Sequence, residues 1–196
     1  MAIARTTHKK TRLSREDWIG AALEAIADGG LTAVAVEPLA ARLGVTKGSF
    51  YAHFSSREQL IEAALDCWEE SHGGSGLAHL TAIENPAERL RATLLAAVTF
   101  SQSGAPSVHV SLLGELADAR ARAAVSRVSA KRLELLTRTY RQLGLPRARA
   151  ADRARMAYAT YLGLLQMSRE APERRLSDRE LARFMHELNA AMIPEL

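Results

Sequence analysis

The chain has 196 residues, with 26 Lys and Arg against 22 Asp and Glu, for a net charge of +4. At 47% apolar and 24% charged residues it has the composition of an ordinary globular protein, which excludes a disordered chain. One cysteine, Cys67, excludes an internal disulfide framework and a cysteine-rich zinc site, and no apolar run reaches the roughly 18 residues of a membrane span.

The length fits one or two domains, and the lone thiol fits a reducing, cytoplasmic setting. Residues 1–15 carry Arg5, Lys9, Lys10, Arg12 and Arg15 and no acid. Without an apolar stretch they do not read as a secretory signal. They read as a basic arm, either a solvated tail or a segment that tracks nucleic acid. Beyond the arm the chain reads as helix almost throughout, with no period-two strand and no hairpin signal. The first helix is expected over about residues 15–28, with Ser14 as N-cap and Asp17 as its capping-box partner. Ile19, Ala22, Leu23 and Ile26 form its apolar stripe, and Gly29-Gly30 stop it. A second helix is expected over about residues 36–43, with Pro38 in its first turn, a poor cap in Ala35, and Gly44 as its stop. A short third helix over about residues 47–53 follows Thr46 as cap, anchored by Phe50 and Phe54.

The fourth helix opens at Ser55-Ser56-Arg57-Glu58, with Ser55 and Glu58 as its capping box, and runs to about residue 71. The Gly-rich stretch from His72 to Glu84 is expected to be a loop and the nearest thing to a seam. Five further helices are expected over about residues 86–103, 107–117, 118–143, 147–170 and 178–193. Asn85 with Glu88 caps the first of these and Ser177 with Glu180 the last.

The informative stretch is Leu39 to Phe54, LAARLGVTKGSFYAHF. It reads as a helix, a tight turn at Gly44-Val45-Thr46, and a second short helix. A helix–turn–helix needs glycine where the chain bends and apolar residues that lock the two helices, here Leu39, Leu43, Val45 and Phe50. It also needs small or polar residues on a face that enters a groove about 12 Å wide, and Thr46, Lys47, Gly48 and Ser49 supply that face. Gly48 costs about 1 kcal/mol against Ala inside a helix, and close approach of another backbone is a reason to tolerate it.

The run G-V-T-K-G-S-F-Y-x-H-F followed by S-x-R-E-x-L resembles the TetR (tetracycline-repressor-type) family of bacterial transcriptional regulators, over about Leu13 to Leu65. The resemblance implies an all-α fold. A helix–turn–helix DNA-binding domain with its arm would cover residues 1–56, and a helical regulatory and dimerisation domain residues 57–196, with 57–71 as the linking helix. It implies a homodimer that binds double-stranded operator DNA as a repressor, and release by a small-molecule effector. Residue by residue, Thr46, Lys47 and Ser49 resemble base-reading or base-adjacent positions, and Gly48 lies among them. Tyr51 and His53 resemble a phosphate-contacting pair, and Arg57 the basic residue that meets the backbone at the start of the fourth helix. Ala35 departs from the Ser or Thr that family often has there, so no phosphate contact is carried to it.

In the last two helices, Ala159 and Gly163 permit close helix approach, and Leu181, Phe184 and Leu188 lie on one stripe. The stripe fits an internal core or an interface; the resemblance makes it the dimer interface. Between residues 86 and 117, Leu94, Val98, His109 and Leu112 are core by default and effector-pocket lining by the resemblance. Arg120 to Arg155 holds many arginines and only two acids, Glu134 and Asp152, which reads as solvated helix faces or as attraction for an anionic ligand. Without an acid-rich apolar stripe, a cationic ligand is less favoured than a neutral or anionic one.

No P-loop, dinucleotide fingerprint, HExxH or nucleophile elbow is present. Cys67 sits among Asp66, Glu69 and Glu70, which disfavour a thiolate. No catalytic residue, metal or cofactor is expected. The alternatives are an architectural helical DNA-binding protein without ligand control and, far behind, a helical enzyme.

Overall fold

The computed structural model describes residues 13–194, so Arg5, Lys9, Lys10 and Arg12 of the arm lie outside the described residues. Among the described residues there are ten α-helices and no strand. They are α1 (Arg15–Gly29), α2 (Val36–Arg42), α3 (Lys47–Tyr51), α4 (Arg57–Gly73), α5 (Ala78–Thr81), α6 (Pro86–Gln102), α7 (Val108–Leu113), α8 (Ala119–Gln142), α9 (Arg147–Glu170) and α10 (Asp178–Met192). No helix among the described residues is long and apolar enough to cross a membrane.

Local chemistry accounts for most helix ends. The Ser14 hydroxyl accepts from the Asp17 N–H at 3.2 Å while the Ser14 N–H donates to the Asp17 carboxylate at 2.7 Å. Asn85 accepts from Ala87 and Glu88, and Ser177 and Glu180 close a second capping box. Asp118 caps α8 and binds Arg120, whose hydrogen bond holds the Asp118 carboxyl down to about 2. At α4 the cap is Ser56, one residue later than expected. Its hydroxyl accepts from the Gln59 N–H at 3.1 Å, and the Gln59 amide oxygen accepts from the Ser55 N–H at 2.7 Å. Gln59 thus takes the role expected of Glu58, whose carboxylate meets Arg57 instead. Thr46 precedes α3 but its hydroxyl makes no capping bond. The Gly-rich stretch holds a 3₁₀ turn at Ser75–Leu77 and the short helix α5. α7 stops at Leu113 because residues 114–118 close successive turns, ending with Asp118 N–H on the Glu115 carbonyl.

Two apolar cores result. The first joins α1–α3 to α4, to Leu112 of α7 and to Ala121, Ala124, Val125 and Val128 of α8. Trp18 and Phe50, both wholly buried, meet edge to face at 5.3 Å, and Phe54 stacks on Phe50 at 5.7 Å. Each such aromatic pair contributes about 0.5–1.5 kcal/mol beyond its area burial. The second core joins Leu90, Leu94 and Val98 of α6 to Leu136 and Tyr140 of α8, Ala150, Ala154 and Ala157 of α9, and Leu188 and Met192 of α10. α4 is buried between the helix–turn–helix and α8 through Leu60, Ile61, Ala64, Leu65 and Trp68. The one cysteine, Cys67, is exposed on this helix.

α7 ties to the C-terminal end of α1 by hydrogen bonds. The Ser111 hydroxyl donates to the Ala27 carbonyl at 2.8 Å, and the Leu31 N–H donates to the Glu115 carboxylate at 2.8 Å. Between these contacts lies Gly30, at φ +75°, where a Cβ would stand 2.4 Å from a Glu115 oxygen. Only glycine fits both the backbone and the space.

His109 of α7 is buried at 2% exposure, with Trp68 5.5 Å away and Tyr158, Tyr161, His72 and Arg132 around it. Burial, then the charges of Arg132 and His72, lowers its pKa from 6.5 to about 3. The folded state therefore holds a neutral ring that the unfolded chain protonates below about pH 6.5. That difference lowers stability as pH falls from 6.5 toward 3, by up to about 1.4 kcal/mol per pH unit. Denaturant melts between pH 7 and 5 are expected to show this slope, and His109→Phe to flatten it. Equal slopes in the two proteins would show that His109 is not held neutral.

Candidate nucleic-acid interface

The turn between α2 and α3 forms because Gly44 takes φ +68° while the Val45 N–H returns to the Ala40 carbonyl at 3.0 Å. Phe50, Leu39 and Val45 pack beneath it, which leaves the opposite face of α3 outward. Thr46, Lys47 and Gly48 are exposed, Ser49 is half-buried beside them, and Tyr51 is 57% exposed. A Cβ on Gly48 would meet only the Thr46 hydroxyl, at 3.7 Å, so nothing within the chain requires glycine there. Lys47 bonds to Glu37 of α2 across the turn, which holds the Glu37 carboxyl below and the Lys47 ammonium above its usual range. His53 is half-buried after α3, near Asp17; the Ser14 hydrogen bonds, with a smaller contribution from His53, hold the Asp17 carboxyl low.

Arg57 departs from expectation. Its Nε donates to the Val34 carbonyl at 2.5 Å and its Nη2 to the Leu31 carbonyl at 2.6 Å. The guanidinium is turned onto the α1–α2 connection, where it fastens α4 to the helix–turn–helix rather than standing free for a phosphate. A tie to residues 23 and 26 positions away has no local sequence signal.

Behind this unit, at the C-terminal end of α4, lies a cavity of about 330 Å³, within the range of small-molecule sites. Its walls include His72 of α4, Leu80 of α5, Leu94 and Phe100 of α6, Arg132 and Leu136 of α8, and Tyr158 and Tyr161 of α9. Of the four residues expected to line a pocket, Leu94 does. Val98 and Leu112 do not, because they are spent in the two cores. His109 stands behind the wall, its Nε2 3.3 Å from the Tyr158 hydroxyl, which also meets the Ser129 hydroxyl at 2.8 Å. Arg132, Tyr158 and Tyr161 were not expected there. They come from α8 and α9, far along the chain from α6, and no spacing within one helix brings them together.

The expected dimer residues also divide. Leu188 is 7% exposed within the second core, and Leu181 and Phe184 pack against that core from α10. Ala159 and Gly163 face outward on α9, together with Met156 and Met167, which are 51% and 65% exposed. These four follow helical spacing, so α9 presents a small, apolar stripe with no partner among the described residues. Among the described residues no group of His, Cys, Asp and Glu is placed to hold a metal ion.

A helix–turn–helix with an outward-facing α3 is thus joined to a larger helical body that holds a cavity. Residues 19–64 match the model of the bacterial regulatory proteins of the tetR family. The whole chain has the fold of a TetR transcriptional regulator from Legionella pneumophila, at TM-score 0.75 and 16% identity over 98% of this chain and 100% of that one. A TetR-family regulator from Agrobacterium tumefaciens superposes at TM-score 0.72 and 17% identity, covering 92% and 97%. AibR, solved in complex with isovaleryl coenzyme A and operator DNA, superposes at 0.67 and 23% identity, covering 93% and 99%. No curated protein matches the chain. Residues 19–64 thus match the tetR family of bacterial regulatory proteins, and the fold of the chain is that of the TetR regulators it superposes on.

The different surroundings of Lys47, Tyr51 and Arg57 separate their expected effects. Lys47→Ala and Tyr51→Ala should weaken specific DNA binding, by about 1–3 kcal/mol where a base edge is read, with unchanged melting. Arg57→Ala should instead lower thermal stability, by about 1–3 kcal/mol, because two carbonyls lose a charged donor. Fluorescence anisotropy on DNA and calorimetric melting distinguish the two. An Arg57→Ala protein with normal melting and weakened DNA binding would return Arg57 to the phosphate.

Proposed function

We propose that the protein is a repressor that binds a palindromic operator as a homodimer and leaves it when a small molecule fills the cavity. The observation that carries the proposal is the cavity's position at one end of α4, whose other end Arg57 fastens to the helix–turn–helix. In this reading residues 1–56 read DNA and residues 57–196 regulate and dimerise, with α4 as the link. Thr46, Lys47, Gly48 and Ser49 meet base edges, and Tyr51 and His53 meet phosphates. AibR, of the same fold, is solved with a small-molecule ligand and operator DNA together, which supports pairing the two sites on one chain.

A palindrome requires two recognition helices about 34–36 Å apart, set by a two-fold contact. The α9 stripe of Met156, Ala159, Gly163 and Met167 supports that contact. Met167→Glu places charge on an exposed position, so the monomer keeps its fold while the dimer is lost. Sedimentation should then report monomers and operator affinity should collapse. A Met167→Glu protein that remains dimeric with normal affinity places the interface elsewhere.

Control by a ligand requires tighter binding to the DNA-free form, typically by about 1–3 kcal/mol. A molecule in the cavity touches α4 at His72 and, through Tyr158 and His109, neighbours α7, whose Ser111 is bonded to α1 at Ala27. Ala97 lines the cavity and is only half-buried, so Ala97→Trp fills the space without entering either core. Operator selection followed by a release screen tests the reading. The expected result is an effector that releases the natural protein and not Ala97→Trp, both binding operator equally without it. Release of both alike would place control outside this cavity.

A further inference from the structure

We infer that the cavity takes a small amphipathic anion, its apolar body among the leucines and aromatics and its carboxylate, or a similar acidic head group, on Arg132. The inference rests on the reading of this cavity as the effector site.

The walls divide sharply in character. Leu80, Leu94, Phe100 and Leu136 make them largely apolar, and no Asp or Glu lines them. Arg132 is the one lining side chain that is always charged. Its neighbours use only part of its donor set. Nε donates to the His72 carbonyl at 3.2 Å, and the guanidinium carbon lies 5.2 Å above the Tyr161 ring. Nη1 is buried with no hydrogen-bond partner among the described residues. A buried, unpaired donor is costly even on a half-buried side chain, and the cost falls when a ligand oxygen supplies an acceptor. An anionic oxygen supplies a countercharge as well, and charge-assisted bonds are roughly twice as strong as neutral ones.

The remaining polar wall points the same way. His72 is held neutral-leaning by burial first and by the Arg132 charge second, so the site carries a positive field that no carboxylate offsets. A cationic ligand would meet that field in a medium of low polarity, where like charges repel strongly. A neutral alcohol could accept from Nη1 but would leave the charge uncompensated. The volume of about 330 Å³ lies at the lower end of the range for ligand sites, so the enclosed body is small.

The test uses octanoate, 1-octanol and octylammonium, which share one tail and differ in the head group. Each is titrated into the full chain by isothermal titration calorimetry at fixed pH and ionic strength. Octanoate is expected to bind about ten- to a hundredfold more tightly than 1-octanol, and octylammonium most weakly. Arg132→Gln should abolish the preference while 1-octanol still binds, which also reports an intact cavity. Arg132→Lys should keep part of it, and Ala97→Trp should remove binding of all three. The inference is overturned if octanoate fails to bind at millimolar concentration, binds no more tightly than 1-octanol, or keeps its advantage in Arg132→Gln. Arg132-dependent binding that leaves operator affinity unchanged would sustain the ligand class and overturn ligand control. Release by a neutral or cationic compound, with no octanoate binding, would do the reverse.

Discussion

Helix α4 is held at both ends by arginines that donate to main-chain oxygens. At its start Arg57 reaches back to Leu31 and Val34, and at its end Arg132 of α8 reaches the His72 carbonyl. The Leu31 carbonyl accepts from the Val34 N–H as well, and a guanidinium offers several directed donors at once. The apolar middle of the helix, from Leu60 to Trp68, is packed on both flanks. A helix fixed in this way is a rod bound to its neighbours at both ends. The orientation of the helix–turn–helix is therefore tied to the same helix that closes the cavity.

α7 doubles that tie from the other side. It is only a few residues long, yet its Ser111 and the following Glu115 both reach the end of α1. The contact holds because Gly30 leaves room for the Glu115 carboxylate against the backbone. On its opposite side α7 carries His109 into the ring of Trp68, Tyr158 and Tyr161. This short helix thus has one side on α1 and the other behind the cavity wall.

What was legible in the sequence was local. The caps at Ser14, Asn85 and Ser177 and the stops at Gly30 and Gly44 depend on residues a few positions apart, so the helices fall close to where they were expected. The α3 face was legible for the same reason, since Phe50 and Phe54 fix which side turns inward. The slip from Ser55 to Ser56 arose because both Glu58 and Gln59 can complete a capping box, and Arg57 draws Glu58 away. The tether of Arg57 was not legible, because a bond to carbonyls across a loop has no periodicity. Leu188, Val98 and Leu112 misled because an apolar stripe looks alike whether it meets its own core, a ligand or a second chain. Arg132 was hidden among the many arginines between residues 120 and 155. Its placement over Tyr161 and in the cavity wall distinguishes it from those on solvated faces.

The exposed position of Cys67 has a practical side. It is the only thiol in the chain, and it sits on α4 between the two arginine anchors. A nitroxide or fluorophore attached there would mark each subunit once, at a point on the rod whose tilt the proposed switch requires. In a two-fold assembly the pair of labels becomes a molecular ruler. The separation between them would track the hinge angle of α4 directly, without any change to the recognition face or the cavity wall.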